Sequence, residues 1–120
     1  MQRDRFRRLV FRAIEDLPAE FRRFVQDVAI VVEREPSAED LREAGLEPDE
    51  DLFGLYVGIP LTERHDHHMV LPDRILIFQG PHERAFSADR LTTEIQRTVA
   101  HEVAHFFGID DDRLEALGLG

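Results

Sequence analysis

A chain of 120 residues, 42% hydrophobic and 33% charged, has the balance of one soluble globular domain spanning residues 1–120, large enough to bury a core without disulfides. It contains no cysteine, and its fifteen basic residues are all Arg, which excludes thiol catalysis, Cys-ligated zinc, Schiff-base chemistry and a P-loop lysine; Ser37 and Ser87, its only serines, lie in no G-x-S-x-G elbow, so histidine, carboxylates and a metal remain for catalysis. The formal charge of −10 repels phosphate backbones and argues against a nucleic-acid partner, and no apolar run is long enough for a secretion signal or a membrane span, so the expected location is the cytoplasm, away from membranes.

Phe6, Leu9, Val10, Ala13, Ile14 and Leu17 recur at i, i+3, i+4, i+7, i+8 and i+11, which predicts an amphipathic helix ended by Pro18. Arg3, Arg5, Arg7, Arg8 and Arg12 against Asp4 give residues 1–12 a charge of +4 and leave −14 on the rest. That basic face is read as solvated and set against an acidic surface. Residues 19–26 add a short helical turn. The β-branched run at 28–33 (VAIVVE) reads as a buried strand stopped by Pro36. Ser37, with Asp40 three residues on, opens a short helix, and Gly45 stands at its end.

After an acidic loop at 47–51, residues 52–59 (LFGLYVGI) predict a second strand interrupted by Gly54 and Gly58. Tyr56 on that strand is expected to pack in the core rather than to serve an oxyanion. Residues 60–71 read as a polar loop, in which His65, His67 and His68 are expected to be exposed rather than to form a second metal site. Arg74–Phe78 is a third strand, expected to end at Gly80-Pro81, with His82 on a surface loop. By analogy this strand is a candidate edge for an extended peptide. A long helix from about 87 to 107 and a short one over about 112–117 complete the chain. Strands and helices mix without βαβ alternation, which indicates the α+β class.

The long helix carries His101-Glu102-Val103-Ala104-His105, an H-E-x-x-H pattern that six histidines in such a chain would produce by chance only about 0.03 times. Residues i and i+4 lie one turn apart on one helix face, so two imidazoles there can hold one zinc ion. Glu102, about 100° round the helix, is off that line and can reach a bound water as general base. Leu91, Ile95, Val99, Ala100, Val103, Phe106 and Phe107 form an apolar stripe that buries the helix, and buried histidines with a buried glutamate need partners that a metal supplies. The bland alternative is a pair of core histidines satisfied by hydrogen bonds.

A catalytic zinc site has three protein ligands and an open position. Gly108 lets the helix end in a left-handed turn that can bring a later side chain back to the metal. Of the three aspartates that follow, Asp112 with Glu115 has capping-box spacing and is the expected N-cap of the last helix, leaving Asp110 or Asp111 as third ligand, with Glu115 as the fallback.

The run His101-Glu102-x-x-His105-x-x-Gly108-x-x-Asp111 resembles the H-E-x-x-H-x-x-G-x-x-D signature of the minimal zincin-like metallopeptidases of bacteria. Gly54-Leu55-Tyr56-x-Gly58-x-Pro60-Leu61-Thr62-x-Arg64, and Leu71-Pro72-Asp73-Arg74-Ile75 with Gly80-Pro81, are similar to further segments of that family. The resemblance implies a compact α+β zincin core, a small mixed sheet of three to four strands packed on the site-bearing helix. It also implies zinc held by His101, His105 and Asp111, Glu102 as general base, and a peptide or protein substrate. The methionine turn of the metzincins is missing, because the two methionines are Met1 and Met69. The competing readings are a zinc-binding interaction module without catalysis, a metal-dependent ribonuclease, which the charge opposes, and a metal-free domain.

Overall fold

Arg3–Glu15 forms helix α1, whose Phe6, Val10 and Ala13 recur every three to four residues and are all buried. The computed structural model describes residues 1–59 and 73–116, apart from the side chains of Phe24, Asp111, Leu114 and Glu115. Pro18 opens the next helix, α2 (Ala19–Val25), and its carbonyl accepts from the Phe21 and Arg22 amides. Strand β1 (Ala29–Glu33) follows, then α3 (Ala38–Glu43). The expected capping box is present there: Ser37 Oγ accepts from the Asp40 amide at 3.0 Å and Asp40 accepts from the Ser37 amide at 2.9 Å. Gly45, at φ 74°, closes the turn after it.

Strands β2 (Gly54–Val57) and β3 (Arg74–Phe78) complete a mixed sheet of order β1-β3-β2. β1 runs parallel to β3 and β2 antiparallel to it. β3 is therefore the central strand, which corrects the expectation of an edge there: both of its neighbours are already paired, and Ile75 to Phe78 are all buried. Among the described residues the outer rims belong to β1 and β2. Arg3 reaches across from α1 and donates to the Val32 carbonyl at 2.7 Å, capping part of the β1 rim. Arg7, Arg8 and Arg12 lie exposed on α1.

The third strand stops at Phe78 as expected, but Gly80-Pro81 opens a helix instead of a loop. Helix α4 (Gln79–Ala85) begins there because a proline in the first turn lacks an N–H that would have no intrahelical partner anyway. Gly80 is needed for packing: a Cβ at that position would meet the Glu35 carboxylate, and its amide donates to the Arg34 carbonyl at 2.8 Å.

Helix α5 (Leu91–Phe106) starts four residues later than the pattern predicts, because residues 87–90 form a turn closed by the Arg90 amide on the Ser87 carbonyl. Leu91, Ile95, Val99, Val103 and Phe106 bury one face of α5 in a core shared with α1, Val32 of β1, and Ile75 and Ile77 of β3. Ala100 of the predicted stripe is exposed. The helix ends in a Schellman motif: the Gly108 amide donates to His105, the Ile109 amide to Ala104, and Gly108 has φ 81°. Helix α6 (Asp111–Ala116) follows two residues on. The fold is α+β, with the sheet packed on α5. No helix among the described residues is long and apolar enough to cross a membrane.

Candidate metal centre

The face of α5 turned away from the core is polar. Glu94, Arg97, Thr98, His101, Glu102 and His105 follow helical spacing and form the floor of a cleft of about 610 Å³. Gly54, Leu55 and Tyr56 of β2 line it from the sheet, and Ala44, Leu46 and Phe86 add to its lining.

At one end of this floor the structure brings His101, Glu102 and His105 together. The two imidazole rings have centroids 4.5 Å apart at 69°. One ligand atom from each of the three residues can be chosen so that all lie within 4.8 Å of one another. Zinc–nitrogen bonds of about 2.0–2.1 Å place two donors of one ion no more than about 4.2 Å apart, so small side-chain adjustments suffice for the two rings to share a cation. The donor set suits zinc: two half-buried imidazoles open to the cleft and a carboxylate beside them.

Glu102 is 5% exposed, and its Oε1 accepts from the backbone N–H of Tyr56 at 2.9 Å. The same oxygen lies 3.4 Å from His105 Nδ1. A buried carboxylate is costly without such partners, and the β2 amide supplies one from a different element. The Tyr56 ring packs edge-on against Phe106 at 5.9 Å, in keeping with its expected packing role.

Asp111 is the first residue of α6, and its side chain lies outside the described residues, as do that of Glu115 and the whole of His65, His67 and His68. The N-cap of α6 is Asp110, not Asp112: Asp110 Oδ1 accepts from the Arg113 amide at 2.9 Å, three residues on. The helix starts two residues earlier than the Asp112/Glu115 spacing suggests, so Asp110 is occupied as a cap.

His82 is corrected as well. It is fully buried, with Nδ1 2.7 Å from the Phe78 carbonyl and Nε2 2.8 Å from Thr98 Oγ1, among the rings of Phe6, Phe53 and Phe86. Two contributors escaped the sequence reading: the Tyr56 amide, which has no side-chain signature, and Gly54. The signal for Gly54 was a glycine inside a strand, which marks a bulge or a close approach.

The model of the family described as zincin-like metallopeptidase matches residues 25–120. A solved structure of a conserved hypothetical protein from Thermo thermophilus is similar over 98% of this chain and 97% of that one, with a TM-score of 0.57 and 22% identity. That likeness concerns the fold. The search of curated proteins gave no match.

Proposed function

The chain belongs to the zincin-like metallopeptidase family, and from that premise we propose that it is a zinc-dependent peptidase in which His101, His105 and Asp111 hold the ion and Glu102 is the general base. The observation that carries this reading is the convergence of both imidazoles and a buried carboxylate at the floor of an open cleft. When bound, zinc would supply Lewis acidity, lowering the pKa of a water and polarising a peptide carbonyl. Glu102 takes the proton as the water oxygen attacks the carbonyl carbon, then delivers it to the amine nitrogen as the C–N bond breaks. With Oε1 held by the Tyr56 amide, the carboxylate keeps a fixed orientation for both transfers.

The substrate backbone is assigned to the outer rim of β2. Residues 53, 55 and 57 face β3, as the Phe78 amide on the Phe53 carbonyl indicates, so Gly54 and Tyr56 turn their main-chain groups outward. The Tyr56 N–H is on Glu102, which among the described residues leaves the N–H and C=O of Gly54 for an extended peptide. The charge of −10 argues for a peptide rather than a nucleic acid, and a cytoplasmic location is part of the same proposal.

The test is hydrolysis of a quenched-fluorescent peptide mixture with random central residues by zinc-loaded protein. Glu102→Gln should lower kcat about 10²–10⁴-fold while zinc stays bound at the wild-type ratio. A wild-type protein that binds zinc but cleaves nothing in the mixture would instead be the non-catalytic interaction module.

A further inference from the structure

We propose that Gly54 is a positioning residue for Glu102: it lets β2 approach α5 closely enough for the Tyr56 amide to hold the carboxylate. The inference rests on the reading of Glu102 as general base. Gly54 and Tyr56 share one side of β2 in register, and Thr98 and Glu102 stand one turn apart beneath them on α5. A Cβ at residue 54 would lie 2.8 Å from Thr98 Cγ2, 3.0 Å from Glu102 Cγ and 3.2 Å from the Leu76 carbonyl. Contacts that short force something to move.

The surroundings decide what moves. The Leu76 carbonyl belongs to the central strand and is fixed by the sheet. Thr98 cannot readily rotate its methyl away, because its single hydroxyl proton has both its acceptors in the present rotamer, His82 Nε2 at 2.8 Å and, as the alternative, the Glu94 carbonyl at 3.1 Å. His82 in turn is fully buried and held at Nδ1 by Phe78. The remaining neighbour is the Glu102 side chain, whose carboxylate is held by the 2.9 Å bond from Tyr56 and by its contact with His105. A methyl group at position 54 therefore displaces Glu102 and loosens the Tyr56 bond, and misplacing a catalytic group by about 1 Å costs on the order of 10²-fold.

The experiment compares wild type, Gly54→Ala, Thr98→Ser and the double variant, all zinc-loaded. The readouts are kcat and KM on the quenched peptide mixture, zinc stoichiometry, and hydrogen exchange of the Tyr56 amide. Gly54→Ala should keep its zinc, lose about 10–100-fold in kcat, and exchange the Tyr56 amide about tenfold faster. Thr98→Ser deletes Cγ2 and retains the hydroxyl, so in the double variant the new methyl can shift toward residue 98. Relative to Thr98→Ser alone, kcat and Tyr56 protection should recover together, and this pair also serves if Gly54→Ala folds poorly. Unchanged Tyr56 exchange in Gly54→Ala, or exchange and kcat that fail to recover in the double variant, would overturn the assignment. Should the wild type cleave no peptide, the peptidase reading fails alone, because amide exchange still reports whether Gly54 governs the hold on Glu102.

Discussion

His82 shows how a single side chain acquires a role from its surroundings. The Phe78 carbonyl can only accept, so Nδ1 carries the proton, and in the neutral ring Nε2 accepts from the Thr98 hydroxyl. Burial lowers the His82 pKa below its ordinary 6.5, outweighing the Phe78 carbonyl and the charge of Glu94, which both raise it. The unfolded chain therefore takes up a proton as pH falls below 6.5, while the folded ring resists until a lower pH. In that window the unfolded state binds more protons, so the contribution of His82 to stability is complete above pH 6.5 and is lost as pH falls toward the folded pKa. Denaturation of metal-free protein between pH 7.5 and 5 should show a steeper loss for wild type than for His82→Gln; parallel curves would contradict this. Nothing near residue 82 in sequence announces the role, because Thr98, Phe6 and Phe53 come from other elements. His101, Glu102 and His105 were legible for the opposite reason: their relation is set by one turn of one helix.

At the scale of elements, the ends carry most of the information. Ser37 and Asp40 form their capping box within three residues, so local chemistry was enough to place α3. Pro81 misled because the same residue that ends a strand is also tolerated in the first turn of a helix, and the choice depended on Gly80 packing against residues 34 and 35. Gly108 joins α5 to α6 with φ 81°, a conformation that costs an L-residue with a side chain about 1–2 kcal/mol. Gly108→Ala should lower the stability of metal-free protein by about that much in chemical denaturation. With Asp111 as third ligand on the far side of this turn, the variant should also bind zinc more weakly by competition with a chelating dye. Wild-type zinc affinity in a destabilised Gly108→Ala would count against Asp111.

For the whole molecule, zinc that binds only the folded state adds stability by mass action. At a free concentration of about 100 Kd the gain is about 2.7 kcal/mol, or roughly 10 °C in Tm for a domain of this size. Thermal scans should show that rise in wild type, its reversal by chelator, and its absence in His105→Ala, since that variant removes one of the two imidazoles. The amino-acid sequence alone determined the class of the fold and the clustering of His101, Glu102 and His105 on one helix, because periodicity and i, i+4 spacing are properties of a local backbone. Only the tertiary structure decided that β3 lies in the middle of the sheet, that β2 lines the cleft, that His82 is buried, and that a main-chain amide of β2 holds Glu102. Those outcomes depend on which elements come into contact across long stretches of chain, and a backbone N–H or a close approach at glycine carries no side-chain pattern from which that contact can be read.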